Sequence, residues 1–60
     1  MPVVIVEMWE GRTTGQKKQL AADITSSFVK IGTSPEVVQI VFKDNPKHNW
    51  AVGGNLASEK

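Results

Sequence analysis

The N-terminal segment Val3–Trp9 is the feature that most constrains the fold of this chain. It is rich in β-branched residues and is apolar at both odd and even positions apart from Glu7, a pattern typical of a strand covered on both faces. A chain of 60 residues buries only about 60% of the surface that it exposes when unfolded. We therefore expect a single domain over residues 1–60 whose strand is covered partly by other copies of the chain.

Cross-links within the chain cannot compensate for this small core. The sequence contains no cysteine and His48 is its one histidine, so the common His and Cys metal sites cannot form within one chain. Self-association is the remaining source of stability for a domain of this size. We expect a homo-oligomer that holds no metal.

The charges argue against two other classes of partner. Seven Lys and Arg and six Asp and Glu are interspersed along the chain, without the basic stripe that nucleic acid or anionic lipid requires. No stretch approaches the roughly 18 apolar residues of a membrane span, and the apolar N-terminal run lacks a basic leader. We expect a cytoplasmic protein that binds neither nucleic acid nor membrane.

A helix is predicted directly after the first strand. Gly11 ends the strand pattern, and Thr13 and Gln16 have the spacing of a capping box, in which the two side chains satisfy free backbone amides at the helix start. Apolar residues then recur at helical spacing until Gly32, a natural residue for a helix end. The residues of this apolar face are Leu20, Ala21, Ile24, Phe28 and Ile31.

A second strand is predicted over Val38–Phe42. It follows a short helical turn, which Ser34-Pro35-Glu36 indicates through a proline at the first helical position and an acid in the first turn. Val38, Ile40 and Phe42 are expected to face the helix, because residues two apart lie on the same face of a strand.

The remaining residues predict a turn and a hairpin. Residues 44–47 form a turn cluster, and residues 48–52 are expected to form a hairpin arm before Gly53-Gly54. The chain is thus predicted to be an α/β protein, a single βαβ unit with two parallel strands, one long helix and a short C-terminal hairpin. Two strands leave two sheet edges and one sheet face open, which again predicts assembly as an oligomer.

Pro2 is a candidate general base. If the initiator Met1 is removed, Pro2 has a free secondary amine, whereas an attached Met1 makes that nitrogen an inert amide. The ordinary pKa of an α-amino group is about 7.7 to 8.0, and burial and a nearby cation such as Arg12 both lower it. Such an amine can move a proton from the carbon beside a carbonyl, which is keto–enol tautomerisation without a cofactor.

The chain has Pro2 at its start, Glu10-Gly11-Arg12 after the first strand and Gln16-Lys17 at the start of the predicted helix, followed by Pro35, Trp50, Gly53-Gly54 and Leu56-Ala57-Ser58. With these features it resembles the 4-oxalocrotonate tautomerase family nearly from end to end. The resemblance implies an isomerase that forms a homohexamer, a trimer of dimers, with Pro2 as general base at sites between chains. It also implies that Arg12 binds a substrate carboxylate, that Trp50 keeps the pocket apolar, and that the substrates are enols of 2-oxo acids, such as 2-hydroxydienoates or phenylenolpyruvate.

Two departures from the family pattern bear on the substrate and the reaction. Gln39 stands where the best-known members have a second arginine; it can hydrogen-bond a carbonyl or enol oxygen but lacks the charge that would clamp a diacid. Gln39 is equally well read as a polar residue of the sheet face. Val52 stands where the family's dehalogenases carry an acid, which favours isomerisation. The alternatives are dehalogenase- or decarboxylase-type activity and a self-assembling module without catalysis.

Overall fold

The computed structural model describes residues 1–59, which form one βαβ unit followed by a small hairpin. Strands β1 and β2 are parallel, with Val3 opposite Gln39 and Trp9 opposite Asn45, and β3 and β4 are antiparallel. This arrangement confirms the predicted fold class. The elements are β1 (Val3–Trp9), α1 (Thr14–Lys30), β2 (Gln39–Asn45), β3 (Ala51–Val52) and β4 (Asn55–Leu56), with 3₁₀ turns at Pro35–Val37, Lys47–Asn49 and Ala57–Glu59.

The start of α1 has the predicted capping box. The Gln16 amide donates to Thr13 Oγ1 at 3.1 Å, and the Thr13 amide donates to Gln16 Oε1 at 2.9 Å. These bonds satisfy two of the backbone donors that a helix start leaves free. The first turn of the helix is therefore held next to Arg12 by a local interaction that the sequence alone predicts.

The end of α1 is a Schellman motif around Gly32. The Gly32 amide donates to the Val29 carbonyl and the Thr33 amide to the Phe28 carbonyl, each at 3.0 Å, with Gly32 at a φ of 98° that favours glycine. The predicted helix end is confirmed. The prediction that Ile31 belongs to the apolar face is wrong: Ile31 is 77% exposed, because the backbone leaves the helix at this residue, with φ −100° and ψ 12°.

The second strand extends further than predicted. It spans Gln39–Asn45 rather than 38–42, because residues 43–45 pair with Glu7, Met8 and Trp9 of β1. The predicted turn at 44–47 therefore begins inside the strand. The hairpin is also shifted, since residues 47–49 form a 3₁₀ turn and only Ala51–Val52 pairs with Asn55–Leu56 across Gly53-Gly54.

The two faces of the sheet differ in what covers them. Val4, Val6 and Met8 of β1 are half-buried together with Ile40 and Phe42 of β2. Ile40 and Phe42 are two of the three residues predicted to face the helix; the third, Val38, ends the 3₁₀ turn and precedes β2. On the opposite face the side chains of Val3, Ile5, Trp9 and Val41 are between 42% and 56% exposed. This second face, defined by those four residues, is called the open face below.

A single chain does not enclose a core. No residue of 1–59 is fully buried, and the radius of gyration is 14.5 Å, against about 10 Å for a compact domain of this length. The accessible surface of 4589 Å² also exceeds the roughly 3,900 Å² expected of a monomer of this mass. The chain is elongated, measuring 43 × 23 × 14 Å, and leaves apolar surface uncovered.

Candidate active site

Pro2 and Gln39 lie side by side where β1 begins. The Gln39 amide donates to the Pro2 carbonyl at 3.0 Å, because the parallel register sets residue 39 opposite the start of β1. The Gln39 side chain points to the same end of the sheet, where its Nε2 lies 3.1 Å from Met1 Sδ. Pro2 itself is half-buried. Two of the four predicted site residues are thus neighbours within one chain.

Arg12 and Trp50 lie at the other end of the sheet. Trp50 is half-buried and packs edge-to-face on Trp9, with the ring centroids 5.8 Å apart and an interplanar angle of 76°. The Ala57 amide donates to the Trp50 carbonyl at 2.8 Å, which ties Trp50 to the C-terminal hairpin. Arg12 follows β1 after the glycine Gly11, whose φ is 115°, and lines a cleft with Trp9.

The four predicted site residues do not meet within one chain. Seven residue steps separate Pro2 from Trp9, which corresponds to about 23 Å of extended strand. A small substrate cannot span the distance from Pro2 to the aromatic pair of Trp9 and Trp50. A site that contains all four residues must take the Pro2 end and the Arg12 end from different copies of the chain.

Two residues of the Arg12 end are absent from the sequence-based prediction, Trp9 and Lys47. The Lys47 ammonium lies 5.0 Å from the centroid of the Trp9 ring, within the range of a cation–π contact. Trp9 could have been found from the sequence, because it shares the parity of Val3 and Ile5 and so belongs to the open face. Lys47 lies in a segment predicted as a turn, and no local pattern singles it out.

A cleft of about 340 Å³ is bordered by Arg12, Trp9 and Lys47. A second cleft of about 360 Å³ lies between the Arg12 side chain and the first turns of α1. The first is lined by Met8, Trp9, Glu10, Gly11, Arg12, Gln16 and Lys47, and the second by Met8, Arg12, Gln16, Lys17 and Leu20. Arg12 lines both clefts.

The cations around these clefts differ in their ion pairs. Lys17 Nζ lies 2.5 Å from Asp44 Oδ2, and this is the one ion pair found among residues 1–59. Arg12 and Lys47 have no carboxylate partner in that part of the chain. The described residues also contain no group of His, Asp and Glu side chains that could hold a metal ion. His48 is exposed.

One carboxyl group has a shifted pKa, and it lies away from both clefts. The Ser34 hydroxyl donates to the Glu36 carboxylate, and this hydrogen bond lowers the pKa of Glu36 below its ordinary value. Because a hydrogen bond to the charged form favours ionisation, the interaction stabilises the charged form of Glu36 in the 3₁₀ turn. It has no part in the candidate site.

Sequence comparison decides the family. The profile of the family described as tautomerase enzyme matches residues 2–60. The chain belongs to the tautomerase family. A probable tautomerase of Ralstonia nicotianae is 43% identical over 61 residues, covering all of this chain and 94% of the relative. The predicted family and the prediction that the chain is an isomerase are both confirmed.

Solved structures agree with the fold. YwhB, a homologue of 4-oxalocrotonate tautomerase, superposes with a TM-score of 0.92 at 33% identity, covering 98% of each chain. A heterohexameric 4-oxalocrotonate tautomerase of Chloroflexus aurantiacus superposes with a TM-score of 0.90 at 28% identity, covering 98% of this chain and 97% of that one. Within the described residues, no helix is long and apolar enough to cross a membrane.

Proposed function

We propose that this tautomerase-family chain catalyses cofactor-independent keto–enol tautomerisation of enols of 2-oxo acids, with Pro2 as general base after removal of Met1. The observation that carries the proposal is the neighbourhood of Pro2. Its backbone is fixed by the 3.0 Å hydrogen bond from Gln39, so a free Pro2 nitrogen would be presented at a defined position at the sheet end. A secondary amine in that position can accept a carbon-bound proton and return it elsewhere on the substrate.

Removal of Met1 would also release the side chain of Gln39. Its Nε2 lies 3.1 Å from the Met1 sulfur, a weak acceptor. Without Met1, the same N–H becomes available beside the Pro2 nitrogen to donate to the carbonyl or enol oxygen of a substrate. This supports the reading of Gln39 as a substrate-binding residue over a purely structural role on the sheet face.

The proposed site is formed between copies in a homohexamer. The uncovered apolar surface of one chain supports assembly, and the separation of Pro2 from Arg12 supports a shared site. In each site, Pro2 and Gln39 of one copy would face Arg12 and Trp50 of another. Arg12 would bind the carboxylate and draw electron density toward it, while the Trp50 ring would exclude water and favour the neutral amine.

The experiment compares three preparations with 2-hydroxydienoate and phenylenolpyruvate substrates: trimmed protein, Pro2→Ala and protein that retains Met1, each verified by mass. We expect the trimmed protein to lose rate as pH falls, because the protonated amine has no lone pair. Pro2→Ala should lose most of the rate but keep some, since alanine supplies a primary amine. Protein with Met1 should be inactive, and equal turnover by this form would overturn the mechanism.

A further inference from the structure

We infer that Lys47 is a second carboxylate-binding residue, which together with Arg12 holds a single carboxylate of the substrate beside the face of Trp9. The inference rests on the proposed function for the identity of that substrate, an enol of a 2-oxo acid. It adds a residue that the family pattern does not mark at this position of the chain. It also explains how this chain could hold a carboxylate firmly although Gln39 carries no charge.

The first observation is that Lys47 and Arg12 line the same cleft. They come from distant parts of the chain, Arg12 from the turn after β1 and Lys47 from the 3₁₀ turn after β2, and both border the space of about 340 Å³. The parallel pairing of β1 and β2 causes this, because their C-terminal ends lie at the same edge of the sheet. Two cationic side chains from different segments of the chain therefore border one ligand-sized space.

The second observation is that the two cations of the shared cleft form no ion pair within residues 1–59. Lys17, which lines the neighbouring cleft, is neutralised by Asp44 at 2.5 Å, whereas neither Arg12 nor Lys47 has an ion pair among residues 1–59. Glu10 also borders the shared cleft. Two cations and one carboxylate leave an excess of one positive charge, which one carboxylate of a ligand would balance.

The third observation is the position of the ammonium. It lies 5.0 Å from the centroid of the Trp9 ring, and Trp9 is itself held by its edge-to-face contact with Trp50. The attraction of the ring for the cation restricts a side chain that otherwise has high rotational freedom. An ammonium already ordered at the cleft loses less entropy when it binds a carboxylate.

Kinetics of trimmed protein with a monoacid 2-hydroxydienoate test the inference. Because the carboxylate is charged in both ground and transition states, Lys47→Gln should raise KM about tenfold and change kcat less than about threefold. Lys47→Arg, which restores the cation and can also lie over an indole ring, should return KM to within about threefold of wild type. Lys30→Gln, at the far end of α1, removes the same charge and should leave both constants unchanged.

Binding of 2,4-hexadienoate separates this inference from the proposed function. This monoacid has the diene but no enol hydroxyl, so it cannot ketonise, and its binding can be followed by the fluorescence of Trp9 and Trp50. We expect Lys47→Gln to bind it about tenfold more weakly than wild type, and Lys30→Gln to bind it as wild type does.

The outcomes distinguish the role of Lys47 in carboxylate binding from the proposed tautomerase activity. If Lys47→Gln keeps wild-type affinity for 2,4-hexadienoate and wild-type KM, or if wild type does not bind the probe at millimolar concentration, Lys47 is not a carboxylate-binding residue. If Lys47→Gln loses affinity for the probe while wild type turns over no enol of a 2-oxo acid, the two-cation site stands and the proposed function fails.

Discussion

At the residue scale, Arg12 and Lys47 should make different contributions to the same site. Arg12→Ala is expected to raise KM about tenfold or more and also to lower kcat, because a planar guanidinium can hold a carboxylate bidentately and draw electron density as charge develops. Lys47 supplies a point charge without that geometry, so its loss should appear in KM alone. Steady-state kinetics of the two variants check this difference. Wild-type constants for Arg12→Ala with all acidic substrates would make Arg12 a surface charge.

Gln39 should determine how the chain treats a second carboxylate. Since its amide beside Pro2 carries no charge, we expect kcat/KM for monoacids to be no lower than for diacids, within about an order of magnitude. Gln39→Arg should then raise kcat/KM for the diacid more than for the monoacid. A strong preference of the wild-type chain for diacids would contradict the role assigned to Gln39.

At the element scale, a glycine near each end of α1 allows the contribution of the helix end to stability to be tested against a control. Gly32→Ala should lower the free energy of unfolding by about 1 kcal/mol, because the φ of 98° at this position is unfavourable for a residue with a Cβ. Gly15→Ala is the control: it lies inside the first turn, and its added Cβ would meet only Thr13 Oγ1, at 3.8 Å, so it should raise stability by about 0.5 kcal/mol. Denaturant titrations at one protein concentration measure both. If the two substitutions changed the free energy of unfolding equally, the positive φ of the Schellman motif would not be the cause of the loss in Gly32→Ala.

The elements also explain what could be predicted from the sequence. Both ends of α1 were predicted correctly, because the Thr13–Gln16 capping box and Gly32 act through neighbours within a few residues. The end of β2 was predicted too early, because Lys43, Asp44 and Asn45 have no strand pattern of their own. These residues form a strand because they pair with β1. A side-chain contact adds to this pairing, since Asn45 Nδ2 donates to Glu7 Oε1 at 2.9 Å.

In the candidate site, too, the residue that the sequence could not identify is the one whose role depends on a contact distant in the chain. Pro2, Arg12 and Trp50 were selected by their positions relative to a family pattern, and Gln39 by its departure from that pattern. Lys47 could not be selected, because its significance depends on the 5.0 Å contact with Trp9, a residue 38 positions earlier in the sequence. A contact of this kind follows from the sheet register and not from the residues around Lys47.

At the scale of the whole molecule, the open face should be an interface between copies of the chain. Ile5, at the middle of this face, is 56% exposed and pairs with Val41, which is 44% exposed. Ile5→Lys would place a charge among apolar side chains that assembly removes from water, and an unpaired buried charge is strongly destabilising. Ser26→Lys, on an exposed position of α1, adds the same charge away from the sheet and serves as control.

Sedimentation velocity at micromolar concentration measures the assembly of these variants. We expect hexamers of wild type and Ser26→Lys, and smaller or unfolded species of Ile5→Lys. Because the proposed sites need Pro2 and Arg12 from different copies, the variant that loses assembly should lose turnover as well, although Ile5 lies in neither cleft. A hexamer of Ile5→Lys would exclude the open face as the interface. If wild type were a folded monomer at this concentration, no second copy could bring Arg12 to Pro2, and the proposal of a shared site would be wrong.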